Sequence, residues 1–333
     1  MQREQPVRLH ADILSQLITG GTMKRLAAGV ALLIGCGTSS DGPAGPELVD
    51  GFEVPPPPEN GLQVITPIVE GIEPGTDNEY CLWSDKFLTE ETDIKSTSGF
   101  QTEPPGHHTV LYYTTLTQPP GTQRKCTDTD MASFRFLTGN GAEGELNSAP
   151  GDLVYRAPKG AQLVVNSHYL NTSDEVLQGQ SAINVNFAEP GTTHIPSGSL
   201  AFLDTSIKVA EGVSTFETTC NVDRQYKLWF VIPHMHQWGT HITVDLTQNG
   251  TQNRLFDTLW DESYAFHPPE MRLDPTAPLV INQGDQIKVH CEWNNDTGRV
   301  LDFGFEMCVS YAQFIDDTGV GSVACDAGNW TNF

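Results

Sequence analysis

From about residue 61 onward the chain is built of short runs in which apolar and β-branched residues recur at every second position. HTVLYYTTL (108–116), AQLVVNSHYL (161–170), KLWFVIPHMH (227–236), THITVDLTQ (240–248) and DQIKVHCEW (285–293) are examples. A period of two lines up one set of side chains on one face of a strand; sustained helical periodicity is absent after residue 35. Clusters rich in Gly and Pro separate the runs, and TQNGTQ (247–252) carries the Asn-Gly signal of a two-residue hairpin. Many short strands spaced by turns imply sandwiches or jelly rolls. At 333 residues the chain is long for one core. The expected fold is therefore all-β, with two consecutive jelly-roll-like β-sandwich domains over 61–195 and 196–333. Their boundary is expected near EPGTTHIPSGS (189–199).

The N-terminus reads as an address. MKRLAAGVALLIGCGTSS starts at Met23 with Lys24 and Arg25, continues in an apolar stretch too short to span a bilayer, and ends in Leu-Ile-Gly-Cys. This has the form of a lipobox, so Cys36 is the expected acylated residue. Residues 1–35 are then an extension plus signal peptide, and 36–60 a Gly/Pro-rich tether. The expected location is exported, as a periplasmic or cell-surface lipoprotein touching the membrane only through its lipid. Gly37 rather than Asp after the Cys favours the outer membrane. A net charge of −24 argues against nucleic-acid partners, because phosphate binding needs a basic surface. The remaining cysteines, Cys81, Cys126, Cys220, Cys291, Cys308 and Cys325, are even in number, as disulfides in an oxidising compartment require. Six cysteines allow about fifteen connectivities. No CxxC is present.

The chemistry sits in the histidines. EPPGHHTVLYY (103–113) places His107 and His108 side by side, where a regular strand would send them to opposite faces. The preceding Pro104-Pro105-Gly106 relaxes that rule, and a bulge there would aim both rings at one metal. In PHMHQWGTH (233–241), His234 and His236 share a strand face within chelating reach of one ion. His168 lies in VVNSHYLN (164–171) with Asn166 on its face. Met307, in DFGFEMCVSY (302–311), is placed by a period of two with Phe303, Phe305, Val309 and Tyr311; its thioether is a soft ligand suited to Cu(I). His241 is a reserve ligand, and His194, His267 and His290 show no partner pattern.

Taken in order and spacing, these motifs resemble the copper type II, ascorbate-dependent monooxygenases, the family of dopamine β-monooxygenase and peptidylglycine α-hydroxylating monooxygenase. The resemblance spans roughly 61–333. It implies two β-sandwiches, each with one copper, across an open cleft. His107, His108 and His168 match the ligands of the electron-transfer copper, and His234, His236 and Met307 those of the O2-binding, catalytic copper. The implied cofactors are two copper ions, ascorbate or another one-electron donor, and O2; the implied reaction is hydroxylation of an unactivated C–H bond. The resemblance also implies the pairs Cys81–Cys126, Cys220–Cys325 and Cys291–Cys308. Thr109 stands where animal members usually have Met, and Met235 where Thr is usual. Ile232 replaces an Arg that grips the peptide carboxylate in the peptide-processing enzyme, which puts a glycine-extended peptide in doubt. The expected substrate is a small or peptide-like molecule, and the body is expected to be monomeric. Strand parity makes Asn166, Ile232, Val309 and Tyr311 the cleft-lining candidates. Two other readings are a single-metal cupin-like oxygenase using His234, His236 and His241, and a non-catalytic copper-binding lipoprotein. The former lacks the Glu expected after the H-x-H pair and leaves His107, His108 and Met307 without a role. Neither G-x-S-x-G nor HExxH is present, which speaks against hydrolysis.

Overall fold

The computed structural model describes residues 46–332 apart from Phe266. The signal segment and Cys36 lie outside the described residues. The chain from Pro46 on forms one compact unit and is nearly all β; among the described residues there is one short helix, Asp128–Ser133, and one 3₁₀ turn, Glu262–Ala265. No helix among the described residues is long and apolar enough to cross a membrane.

Each half is two sheets packed face to face. In the first, a five-stranded sheet runs in the order Thr122–Lys125, Asp77–Phe87, Gln162–Leu170, Gly106–Thr114, Arg135–Gly141. Leu82, Leu111, Leu137, Leu163 and Val165 of this sheet pack against Val64, Ile94, Tyr155, Ile183 and Val185 of a second sheet. In the other half, a four-stranded sheet runs in the order Gly212–Asn221, Gln286–Asn295, Gly239–Gln248, Thr251–Leu259. Its Ile242, Val244, Leu246, Ile287, Val289 and Trp293 face Leu200, Phe202, Leu228, Val231 and Phe314. Alternation produces this: in Gln286–Asn295 the odd-numbered residues from Ile287 to Trp293 are buried, while Lys288, His290 and Glu292 face outward.

The two halves share backbone. The second sheet of each belongs to one large sheet, joined where Ile195–Leu203 pairs in parallel with Leu153–Ala157 and then antiparallel with Val309–Ile315. Thus the segment expected to separate the domains begins a strand at Ile195 that both halves use. Trp229, from the C-terminal half, is 1% exposed and packs into the N-terminal core, its indole N–H donating to Ser197 Oγ at 2.9 Å.

The Asn-Gly hairpin forms as the sequence predicts. Gln248 pairs with Thr251, and Asn249 and Gly250 carry φ of 50° and 77°, the left-handed values that a two-residue primed turn needs. All three disulfides implied by the family resemblance are formed: Cys81–Cys126, Cys220–Cys325 and Cys291–Cys308. They fit an oxidising compartment outside the cytosol.

Two local readings need correction. Residues 47–56, expected to belong to a tether, lie along the sheet: the carbonyls of Glu47, Pro55 and Pro56 accept from the side chains of Gln180, Gln63 and Asn184. Proline removes a donor but keeps its acceptor, so such a run binds an edge through its oxygens. Residues 301–314 are not one strand either. Leu301–Asp302 and Val309–Ile315 flank a turn in which the Phe305 and Glu306 N–H groups both donate to the Asp302 carbonyl, with Gly304 at φ 100°. Met307 follows that turn and precedes the second strand, so the period-of-two face drawn through it does not exist.

Candidate metal centre

The paired histidines sit at a fault in the ladder. The register of Gly106–Thr114 against Gln162–Leu170 runs regularly to His168 opposite His108, then shifts so that Tyr169 faces Gly106, passing over His107. That bulge undoes strand alternation and lets both rings turn to the same side. Gly106 is required there: a Cβ would lie 2.4 Å from the Gln101 Cβ and 2.6 Å from the Thr102 carbonyl oxygen. The outcome is a tight imidazole group. His107 Nδ1 and His108 Nδ1 are 3.2 Å apart, and His168 Nδ1 and His108 Nδ1 are 3.3 Å apart. Among the described residues, His107, His108 and His168 are the only set of three His, Cys or carboxylate residues whose donors all lie within 4.8 Å of one another.

The group is electrostatically prepared for a cation. Burial, and then the neighbouring His168 and His267 rings, lower the His107 pKa to about 4, against an opposing pull from Asp77. Burial and the adjacent imidazoles hold His108 well below its ordinary value. Both rings are therefore neutral at pH 7, with lone pairs available. His168 is 1% exposed, and its Nε2 bonds the Asp77 carboxylate, leaving Nδ1 turned to the other two rings. Burial raises the Asp77 carboxyl, but the His168 bond and the surrounding imidazoles outweigh it and the net shift is downward.

His234 ends the strand Tyr226–His234, opposite Val309. His236 lies in the loop that follows, their ring centroids 5.1 Å apart. Burial and the His236 ring lower the His234 pKa to about 3. His236 Nδ1 is 3.2 Å from the Phe305 carbonyl, which can only accept, so this nitrogen carries the proton and the lone pair is on Nε2. Glu306 holds the loop in place. It is fully buried, and its carboxylate accepts the backbone N–H groups of His236, Trp238 and Met307 and the indole N–H of Trp293. Met307 is thus tied to the His236 loop through one carboxylate, and its side chain packs with Leu203, Val309 and Ala324.

Of the cleft candidates, Ile232 pairs with Tyr311 and Val309 with His234, so these three cluster beside His234. Tyr311 meets Phe136 of the other half edge-on at 5.1 Å. Asn166 is 1% exposed and donates to Glu79. His241 lies on the outer face of the four-stranded sheet, where its nitrogens meet Glu292 and Asp257.

Three residues that sequence reasoning passed over belong to the site. Asp77 opens a strand, and only pairing shows what it faces. Glu306 precedes Met307 in the sequence, and nothing local gives it a role. His267, from the C-terminal half, sits with its ring 5.5 Å from that of His107. His108 would be disfavoured further by protonation of His234, and Asp77 favoured as the anion by protonation of His236, so these imidazoles share one neighbourhood where the two halves meet.

No protein-family model matches the chain, and no curated protein does. Among solved structures, it shows a distant likeness to the STIV MCP, at 9% identity and TM-score 0.23 over 76% of this chain and 96% of that one. A structure described as the triple jelly roll fold and turret assembly in an archaeal virus gives 7% and 0.19 over 77% and 60%. Infectious bursal disease virus, Gx strain, gives 9% and 0.20 over 79% and 73%. At these TM-scores the likeness carries no argument about fold or function.

Proposed function

We propose that this chain is a copper-dependent monooxygenase that uses O2 and a one-electron donor such as ascorbate to hydroxylate a C–H bond. The observation that carries the reading is the convergence of three imidazoles at the bulge. Metal–imidazole bonds of about 2.0–2.1 Å place donors on one ion roughly 3.3–3.5 Å apart, and the Nδ1 separations of 3.2 and 3.3 Å match. His107, His108 and His168 would hold one copper; His234, His236 and Met307 would hold the other. Bound copper supplies one-electron redox chemistry and O2 activation.

The protein residues have separate tasks in this reading. Asp77 fixes the tautomer and orientation of His168, and the Phe305 carbonyl does the same for His236. Glu306 keeps Met307 and the His236 loop in one frame. Ile232, Val309 and Tyr311 form an apolar wall beside His234, suited to a small substrate with a hydrocarbon or aromatic reacting end. Ile232 offers no cation for a carboxylate, which argues against a glycine-extended peptide. The disulfides fit export, and Cys36 acylation would hold the protein at a membrane, with the outer membrane favoured.

Copper titration of chelator-stripped protein tests the proposal. We expect one tightly held copper at each of the two groups, His107/His108/His168 and His234/His236/Met307, lost with that group, and ascorbate-dependent O2 uptake with a panel of small aromatic and amine substrates. His108→Ala should remove one copper and His234→Ala the other. A wild-type protein with no copper affinity, or copper binding indifferent to both substitutions, would overturn it.

A further inference from the structure

His241 and His290 stand on the outer face of the four-stranded sheet. They are not isolated. Glu292 is opposite His241 in the ladder and two residues from His290 on the same face. One oxygen of Glu292 lies 3.4 Å from His241 Nδ1 and 3.5 Å from His290 Nε2. Both separations are long for a charge-assisted hydrogen bond, which closes to about 2.7–2.9 Å. Each is also within the spacing of roughly 3.3–3.5 Å that two donors on one ion keep with bonds near 2.0–2.2 Å, although the two imidazoles do not themselves converge as the bulge histidines do.

The outer nitrogens of both rings also face carboxylates. His241 Nε2 lies 2.8 Å from Asp257 Oδ1, and His290 Nδ1 lies 3.8 Å from Glu217 Oε2. For His241 the carboxylate is within hydrogen-bond reach, and a carboxylate behind a histidine, aiming the opposite nitrogen inward, is the usual support of a metal-bound imidazole; Glu217 is too far from His290 to do the same. Arg254 pairs with Asp257, and Lys288 lies within 3.8 Å of Glu217, so the outer carboxylates are partly neutralised. Glu292 pairs with the two imidazoles and with no Lys or Arg among the described residues.

We propose that His241, His290 and Glu292 form a further binding site for a divalent transition-metal ion of the zinc–copper class. Two imidazoles and one carboxylate suit such ions better than calcium or magnesium, which prefer all-oxygen sets. The two imidazoles straddle the Glu292 oxygen, and seating an ion needs both rings to swing toward each other. Their side chains are 24% and 30% exposed, so rotation is open to them. The ion would clamp neighbouring strands of the sheet and place its two charges on a strongly acidic chain.

Zinc serves as the probe. Chelator-stripped full-length protein is titrated with zinc against a chromophoric chelator, in parallel with the His241→Ala/His290→Ala double variant and with Glu292→Gln. All three positions face solvent; circular dichroism and thermal unfolding confirm that the variants are folded. We expect the double variant to hold one zinc fewer than the wild type, and Glu292→Gln to weaken that equivalent about tenfold or more. His108→Ala should leave it in place, separating it from the bulge site. Equal zinc content and affinity in the wild type and both variants would overturn the proposal.

Discussion

The Glu306 carboxylate and the backbone N–H of His236 are joined at 3.1 Å, and the same carboxylate oxygen accepts the Met307 N–H at 3.1 Å. One buried anion thereby fixes two segments that are seventy residues apart in sequence.

Glu306→Gln should test that coupling. The amide keeps one acceptor oxygen but turns an NH2 group toward N–H donors. Leaving buried donors unmet costs about 1–3 kcal/mol each, so a loss of roughly 2–4 kcal/mol in urea unfolding is expected. Copper at the His234, His236 and Met307 position should weaken while copper at the bulge site is retained. An unchanged unfolding midpoint would show that Glu306 is not the anchor of this loop.

Asp77→Asn should act on the other group. The Asn side chain fills the same space but no longer offers an anionic acceptor to His168 Nε2. Loss of such a supporting carboxylate typically costs about 10–100-fold in metal affinity. The fold should persist, because the Asp77 side chain is 41% exposed. The measurement is competitive copper titration at neutral pH, with thermal unfolding as the control.

Stability of the metal-free protein should depend on acid in a defined window. His107 and His234 bind protons in the native state only near pH 4 and pH 3, whereas an unfolded histidine does so near its ordinary 6.5. Burial is the leading cause of each shift. Below about pH 6.5 the unfolded chain therefore takes up protons that the native state refuses, and ∂ΔG/∂pH is positive. Stability is full above 6.5 and declines as the pH falls toward 4 and then 3. Urea midpoints measured across this range should fall steadily; a flat profile between pH 6.5 and 4 would contradict the burial of these rings. Copper should be released in the same direction, since protonated imidazoles do not ligate.

The Cys291–Cys308 bridge ties the residue beside Met307 to the four-stranded sheet across a separation of 17. A loop of that length is worth about 3 kcal/mol through the unfolded chain. The Cys291→Ser/Cys308→Ser double variant should lose about that much, measured by denaturant unfolding. It should also loosen copper at the Met307 position more than at the bulge.

The sequence alone determined the β architecture, because a period of two and Asn-Gly turns are local signals that survive in any tertiary setting. It also singled out His107 and His108: Pro-Pro-Gly ahead of two adjacent histidines already implied a broken ladder, and the register shift over His107 is that break. The three disulfide pairs were legible through resemblance, not through spacing. Other features had no local signature. Asp77 reaches His168 only after two strands 91 residues apart have paired. His267 meets His107 because the two halves share one sheet. His241 acquires Glu292, and with it His290, from cross-strand register. Met307 was assigned to a strand that the Glu306 carboxylate and Gly304 turn instead into a loop. Periodicity reports which face a residue occupies; which charged group waits on the neighbouring strand is fixed by pairing and burial, and only the folded chain contains that information.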